Sequence, residues 1–366
     1  MQIWKTSGSI WPASAALVLP LVLASWAAAA QSYTLTDLGT LGGDSSYALG
    51  INAAGQVTGY SYSSSGQTLA FLYSNGTMQS LGTLSGGGSI GNGINDGGQV
   101  AGYASFSPTF HAFLYSNNTM KDLGTLGGTQ SAAFGVNKAG QVTGYASTSQ
   151  NAASHAFLYS NGTMQDLGSL GGNTSTGDGI NAIGEVTGYA YTSKGDERAF
   201  LYSNGTMQDL GTFGGSAGVG NGINDAGQVT GWADNALGYE VAFLYTNGTM
   251  YSVGSFNENS IGYGINNAGD VVGEFTNGNI RHAFLYADGK FQDLNSLVNP
   301  STYWDLESAR GINDSGQIVG YGAVNGGVHA FLLTPTPEPG PIALALVAAI
   351  GLLRQRRGSR KEMPQV

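Results

Sequence analysis

Gly222-Ile223-Asn224-Asp225-Ala226-Gly227-Gln228-Val229-Thr230-Gly231-Trp232 and, ten residues on, Ala242-Phe243-Leu244-Tyr245-Thr246-Asn247-Gly248-Thr249-Met250 read as two hairpins. Asn224 to Gly227 suits a tight turn in which the Asn side chain bonds its own backbone and a left-handed glycine closes the bend. Asn247-Gly248 is the strongest two-residue hairpin signal. With the strand that ends at Asn224 called A, the next B, the Ala-Phe-Leu-Tyr strand C and the strand after Asn247-Gly248 D, one unit is a four-stranded antiparallel meander.

Gly-Ile/Val-Asn recurs at Gly50, Gly93, Gly135, Gly179, Gly222, Gly264 and Gly311, spaced 43, 42, 44, 43, 42 and 47 residues apart. Ala-Phe-Leu-Tyr follows from Ala70, Ala112, Ala156, Ala199, Ala242 and Ala283, and ends as Ala-Phe-Leu-Leu from Ala330. A third block, such as Met164-Gln165-Asp166-Leu167-Gly168, closes most units. Four-stranded repeats of this length predict an all-β propeller with seven blades. The chain opens on a lone D strand, Tyr33 to Leu41, and its last unit stops at Leu333 without one. The expectation is a closed seven-bladed β-propeller whose last blade the N-terminal strand completes, since closure removes exposed sheet edges. The alternative is an open repeat stack.

Two terminal segments stand apart from the repeats. Residues 1–30 carry Lys5, an apolar run and Ala28-Ala29-Ala30 before Gln31, the pattern of an export signal. Residues 335–366 carry Pro337-Glu338-Pro339, an apolar stretch over 341–353, and Arg354, Arg356, Arg357, Arg360 and Lys361. Thirteen apolar residues are short for a spanning helix, which takes about 20, but the basic end fits the positive-inside rule. That order resembles the PEP-CTERM sorting signal of Gram-negative bacteria. The resemblance implies an exosortase-type processing enzyme as partner, transient membrane insertion through the tail, and display at the surface of an organism that makes exopolysaccharide. An unprocessed tail anchor is the alternative, and both place residues 31–334 outside the inner membrane.

The segments His111, His155 and His282 each followed by Ala-Phe-Leu-Tyr, with the Gly-Ile-Asn and Asp-Leu-Gly blocks, resemble the HAF family of extracellular repeats from Tyr33 to Leu333. The resemblance implies location and architecture, and carries no activity.

Composition limits the partners. There is no cysteine, so neither disulfides nor thiolate-held metal stabilise the chain. Glycine is abundant, 60 of 366 residues, but 41% hydrophobic residues and 19 Tyr argue for a packed body. Without the terminal segments seven basic residues face 21 acidic ones, which disfavours nucleic acid as a partner held by bulk charge.

Candidate chemistry must survive comparison between copies. His111, His155, His282 and His329 share a position that holds Leu69, Arg198 and Val241 elsewhere, so no metal or acid-base role is assigned to them. Turn residues Asp96, Asp225 and Asp314 correspond to Ala53, Lys138, Ala182 and Asn267, which speaks for a turn and leaves calcium only as a minor expectation. No other cofactor is expected. The Gly-x-Ser-x-Gly matches at Ser89 and Ser216 lack the strand-to-helix context of a hydrolase elbow.

What varies is the B to C and D to A connections, which a four-stranded blade places on one face. The last join is the longest, 16 residues from Asn295 to Gly311 against 10 or 11 elsewhere, and carries Tyr303, Trp304, Asp305 and Glu307. The residues before each Gly-Ile-Asn differ in every copy but two, among them Phe134, Asp178, Tyr263 and Arg310. The candidate binding residues are therefore Trp304, Tyr303, Asp305, Tyr263, Phe134 and Arg310, with a neutral polysaccharide as ligand, because aromatic faces stack on sugar rings. The favoured function is a non-catalytic structural or adhesive component of the cell surface or exopolysaccharide matrix. A carbohydrate-binding propeller comes second and a polysaccharide-degrading enzyme third.

Overall fold

A computed structural model describes residues 32–337. The expected export segment and the tail from Glu338 onward lie outside the described residues, so of the sorting motif only Pro337 is seen.

The described chain is all-β, with three short 3-10 turns at Ser149–Asn151, Leu294–Leu297 and Pro300–Thr302. Gly214–Ile223, Val229–Asn235, Glu240–Thr246 and Thr249–Ser252 form one antiparallel meander, and the pattern recurs in every copy of the repeat. The two predicted hairpins take the expected form: Gly227 N–H donates to Asn224 O at 3.0 Å with Gly227 at φ +73°, while Asn247 and Gly248 sit at φ 52° and 78°. Only glycine or asparagine tolerates such angles at little cost.

Each unit buries the phenylalanine of Ala-Phe-Leu-Tyr completely: Phe71, Phe113, Phe157, Phe200, Phe243, Phe284 and Phe331. The core is accordingly a series of clusters, each holding groups from two neighbouring units, such as Ala199 and Leu210 with Val229 and Phe243. A serine near the start of several A strands joins neighbours by hydrogen bonds. Ser89 Oγ accepts from Ala70 N–H at 2.9 Å and donates to Gly82 O at 2.6 Å.

The A strands of successive units lie side by side, and the motif Gly-Ile-Asn explains how. A Cβ on Gly50 would come 2.9 Å from Asn92 O, and one on Gly222 would come 2.8 Å from Tyr263 O, so only glycine permits the approach. Two residues on, Asn52 Nδ2 donates to Asn95 O, Asn95 to Asn137 O, and the series runs through Asn181, Asn224, Asn266 and Asn313. Asn313 Nδ2 then donates to Asn52 O at 3.0 Å.

The N-terminal strand is shorter than its sequence suggests. Tyr33–Asp37 pairs antiparallel with Gly327–Pro335, Tyr33 opposite Pro335 and Asp37 opposite Phe331. Leu38 N–H adds a bond to Ala330 O, after which positive φ at Gly39 turns the chain and Leu41 bridges to Ser63 of the first unit.

Candidate functional site

The residue before each Gly-Ile-Asn is the extra residue of a β-bulge. In every unit the A to B register slips there, between Ala48 and Gly50, Gly177 and Gly179, Gly262 and Gly264, Ala309 and Gly311, and likewise in the other copies. A bulge frees one side chain from pairing and re-aims it. The strand opposite makes room with glycine, since a Cβ on Gly231 would lie 1.9 Å from Val219 O.

Following that glycine, strand B presents Tyr60, Tyr103, Tyr145, Tyr189, Trp232 and Tyr321 in six units and Glu274 in the sixth along the chain. The A strand of the seventh unit, Asp305–Ile312, carries a second register slip, between Leu306 and Ser308, that leaves Glu307 unpaired. The sixth and seventh units thus each add a carboxylate, Glu274 and Glu307, that no other copy has at its position.

There Arg310 lies over the Tyr263 ring, Cζ 3.7 Å from its centroid, in cation-π geometry. Its Nη2 donates to Tyr321 Oη at 3.0 Å and comes within 4.0 Å of Glu274 Oε2, while Arg281 Nη1 lies 3.7 Å from Glu274 Oε1. Aromatic contacts continue into the first unit: Tyr321 meets Tyr47 edge-on at 5.0 Å, Tyr47 stacks on Tyr60 at 4.7 Å, and Tyr60 meets Tyr62 at 6.5 Å. Burial, the largest cause, pushes the Tyr60 phenol up to about 12 and raises Tyr263 as well, against the lowering pull of Arg310. Burial first, then Asp305, raises the Glu307 carboxyl, and burial followed by Asp234 raises Glu240. The sector combines stacking surface, a guanidinium and partly desolvated carboxylates, which suits a polar ligand with flat apolar faces.

Of the candidate binding residues, Tyr263 and Arg310 are brought into contact. Trp304 is not beside them: it is half-buried and meets Phe331 edge-on at 6.2 Å and His329 at 6.4 Å. Tyr303 is 85% exposed at φ 56°, and Asp305 is exposed at the start of its strand. Phe134 packs near Tyr145, at 6.0 Å, in the third unit. Sequence reasoning missed Glu274 and Tyr47, and it placed Tyr60 and Tyr62 in a variable B to C stretch without joining them to Tyr263 and Arg310. The signal for Glu274 was present, a single carboxylate where every other copy has an aromatic ring.

Asp178, another bulge residue, has an enclosed Oδ2 without a hydrogen-bond partner. Burial, with the charge of Glu197 adding, holds its carboxyl well above the ordinary carboxylate range. Glu197 in turn accepts from Tyr191 Oη at 2.8 Å.

The histidines do have a structural role. His111, His155 and His282 place Nδ1 within 2.6–2.9 Å of Asp122, Asp166 and Asp293 in the D strand of the same unit. Of the turn carboxylates, Asp96 Oδ1 accepts from Ala53 N–H, Asp225 from Ala182 N–H, and Asp314 from Asn267 N–H, each across to the neighbouring unit. Among the described residues no group of three or more metal-binding side chains gathers. Ser89 is buried in the hydrogen bonds given above, and Ser216 is exposed with its carbonyl accepting from Arg198 Nη1.

No family model and no curated protein matches the sequence. Solved structures do match the fold. A puromycin-hydrolysing peptidase of Mycobacterium tuberculosis aligns with a TM-score of 0.52 at 11% identity over 77% of this chain, which spans half the length of that protein. The β-propeller domain of the Trilobed protease from Pyrococcus furiosus, described as having an open velcro topology, aligns at 0.52 and 7% identity over 82% of this chain and 93% of its own. The chain therefore has a β-propeller fold. The expectation that it is no enzyme is corrected by the same finding, because structures of this shape include peptidases and the architecture gives no ground for excluding catalysis.

Proposed function

We propose that this chain is an exported, surface-sorted member of the HAF repeat family that holds a polysaccharide at the bacterial cell surface or in its exopolysaccharide matrix. In this reading it is a seven-bladed ring, closed where Tyr33–Asp37 joins the last unit, and the bond from Asn313 to Asn52 supports that closure. The observation that carries the binding role is the continuous run from Tyr263 through Arg310, Tyr321, Tyr47 and Tyr60 to Tyr62, which crosses three units and ends in a 37% exposed ring. Sugar rings present apolar C–H faces that stack on such surfaces, and their hydroxyls take the polar groups between them. The export signal and the PEP-CTERM-like tail, processed by an exosortase-type enzyme after transient membrane insertion, put the ring where such polymers lie.

Retention of the full chain on polysaccharide from the producing cell is the test. Retention that falls at least fivefold in Tyr60→Ala/Tyr62→Ala supports the reading, and a parent chain that passes through unretained refutes it. Mass spectrometry of the native C-terminus tests the sorting half: an end beyond Arg354 would rule out processing.

A further inference from the structure

Four enclosed side-chain atoms among the described residues lack a hydrogen-bond partner, and three of them belong to one neighbourhood: Glu274 Oε2, Arg310 Nε and Ser308 Oγ. Ser308 lies opposite Tyr321 in the strand register, and Tyr321 is the residue that Arg310 bonds. Glu274 is 8% exposed, and its Oε2 is 4.0 Å from Arg310 Nη2, too far for a hydrogen bond. An acceptor, a donor and a hydroxyl have thus been taken out of water and left incomplete along one path, from Glu274 through Arg310 to the Ser308 and Tyr321 strand pair. Buried groups in that state are rare, and strain, a bound water or ion, or a functional site accounts for them.

The geometry points to Glu274 and Arg310 as a hydroxyl-reading subsite that takes adjacent ring hydroxyls of a neutral sugar. This rests on the glycan reading above and names its specificity. One hydroxyl donates to Glu274 Oε2 and the oxygen of its neighbour accepts from the Arg310 guanidinium, so a single diol completes both groups. Glu274 and Glu307 beside Arg281 and Arg310 leave the subsite with no net charge to attract an acidic or an amino sugar, and the net negative body repels the acidic one. Arg310 is the side chain that yields on entry. It is 24% exposed, makes one hydrogen bond and otherwise rests on the Tyr263 ring, along which it can slide.

Isothermal titration of the full exported chain with cellohexaose, mannohexaose and hexagalacturonate tests the assignment. At least one neutral hexamer is expected to bind, with hexagalacturonate at least tenfold weaker. Glu274→Gln is expected to weaken the neutral hexamer at least tenfold. Glu274→Leu/Arg310→Leu is expected to abolish binding while the melting temperature is kept, because apolar replacement of both partners of a buried ion pair is often tolerated. Folded Glu274→Gln or double variant with parental affinity would show a purely structural pair and overturn the inference, leaving the glycan reading intact. Tighter binding of hexagalacturonate would overturn it too. Should the double variant not fold, Glu274→Gln decides alone. A parent chain that binds neither neutral hexamer overturns this inference, while the glycan reading stands or falls on retention by polysaccharide from the producing cell.

Discussion

His329 Nδ1 lies 2.9 Å from Asp37 Oδ2 across a sequence separation of 292 residues. It is the same contact that His111 makes with Asp122 eleven residues away, so the N-terminal strand occupies the D position of the last unit in side-chain detail as well as in register. Where the basic residue is missing, the carboxylate is missing too: Leu69 and Val241 belong to units whose D strands carry Ser80 and Ser252. A double-mutant cycle of Asp37→Ser with His329→Leu should give a favourable coupling below about 1 kcal/mol, because both groups are partly exposed. Additive effects in chemical denaturation would mean that the pair contributes nothing.

The asparagine series offers a sharper test of ring closure. Asn137 and Asn313 make equivalent bonds, Nδ2 to the next unit and Oδ1 to their own turn. Asn313→Ala should therefore destabilise as much as Asn137→Ala, by about 1–3 kcal/mol each for the polar groups left unpaired. A markedly smaller loss at Asn313, measured by urea unfolding, would indicate that the first and last units are not held together in solution.

Core and backbone make opposite demands. Phe200→Ala should cost about 3–5 kcal/mol through lost burial and a cavity, yet leave a folded chain. Gly231→Ala should not yield a folded chain at all, since its methyl would sit 1.9 Å from a backbone oxygen that the bulge fixes in place. Circular dichroism of both variants separates the cases, and a cooperative melt for Gly231→Ala would contradict the bulge geometry.

The Asp178 carboxyl predicts a pH dependence. Its value in the folded chain is raised above the ordinary 3.8, with burial as the main cause. The folded state therefore holds the proton more tightly, and the stability this contributes is complete below about pH 3.8 and lost as pH rises through the folded value. Asp178→Asn should be more stable than the parent at neutral pH, with the difference vanishing in acid. Parallel denaturation curves from pH 3 to 8 that show no pH-dependent difference would mean that the carboxyl is solvated.

Trp304 packs its ring edge-on to Phe331 and His329. Those contacts predict that Trp304→Ala lowers stability by about 1–3 kcal/mol, less than a fully buried aromatic. Polysaccharide retention should be unchanged, which a side-by-side melt and retention assay would reveal.

Much of the architecture was legible because each rule acts within a few residues. Asn247-Gly248 specifies its hairpin locally, and periodic Gly-Ile-Asn reports a glycine needed wherever two A strands touch. Even the unmatched strand at Tyr33 could be assigned by counting. The histidine-aspartate pairing was visible in the same comparison of copies, once variation at two positions is read together rather than one at a time.

The repeat, its strands and turns, and the positions at which copies differ are all written in the residues, since these follow from local backbone preference and periodic burial. Which variable residues meet is set by the packing of one unit on the next. Bulges turn Tyr263 and Arg310 toward each other across two units, regular pairing in strand B sets Glu274 beside Arg310, and Trp304 lies against the core. Those outcomes depend on how neighbouring units abut and on where a strand slips its register by one residue. Neither distance is encoded in the local pattern of any single copy.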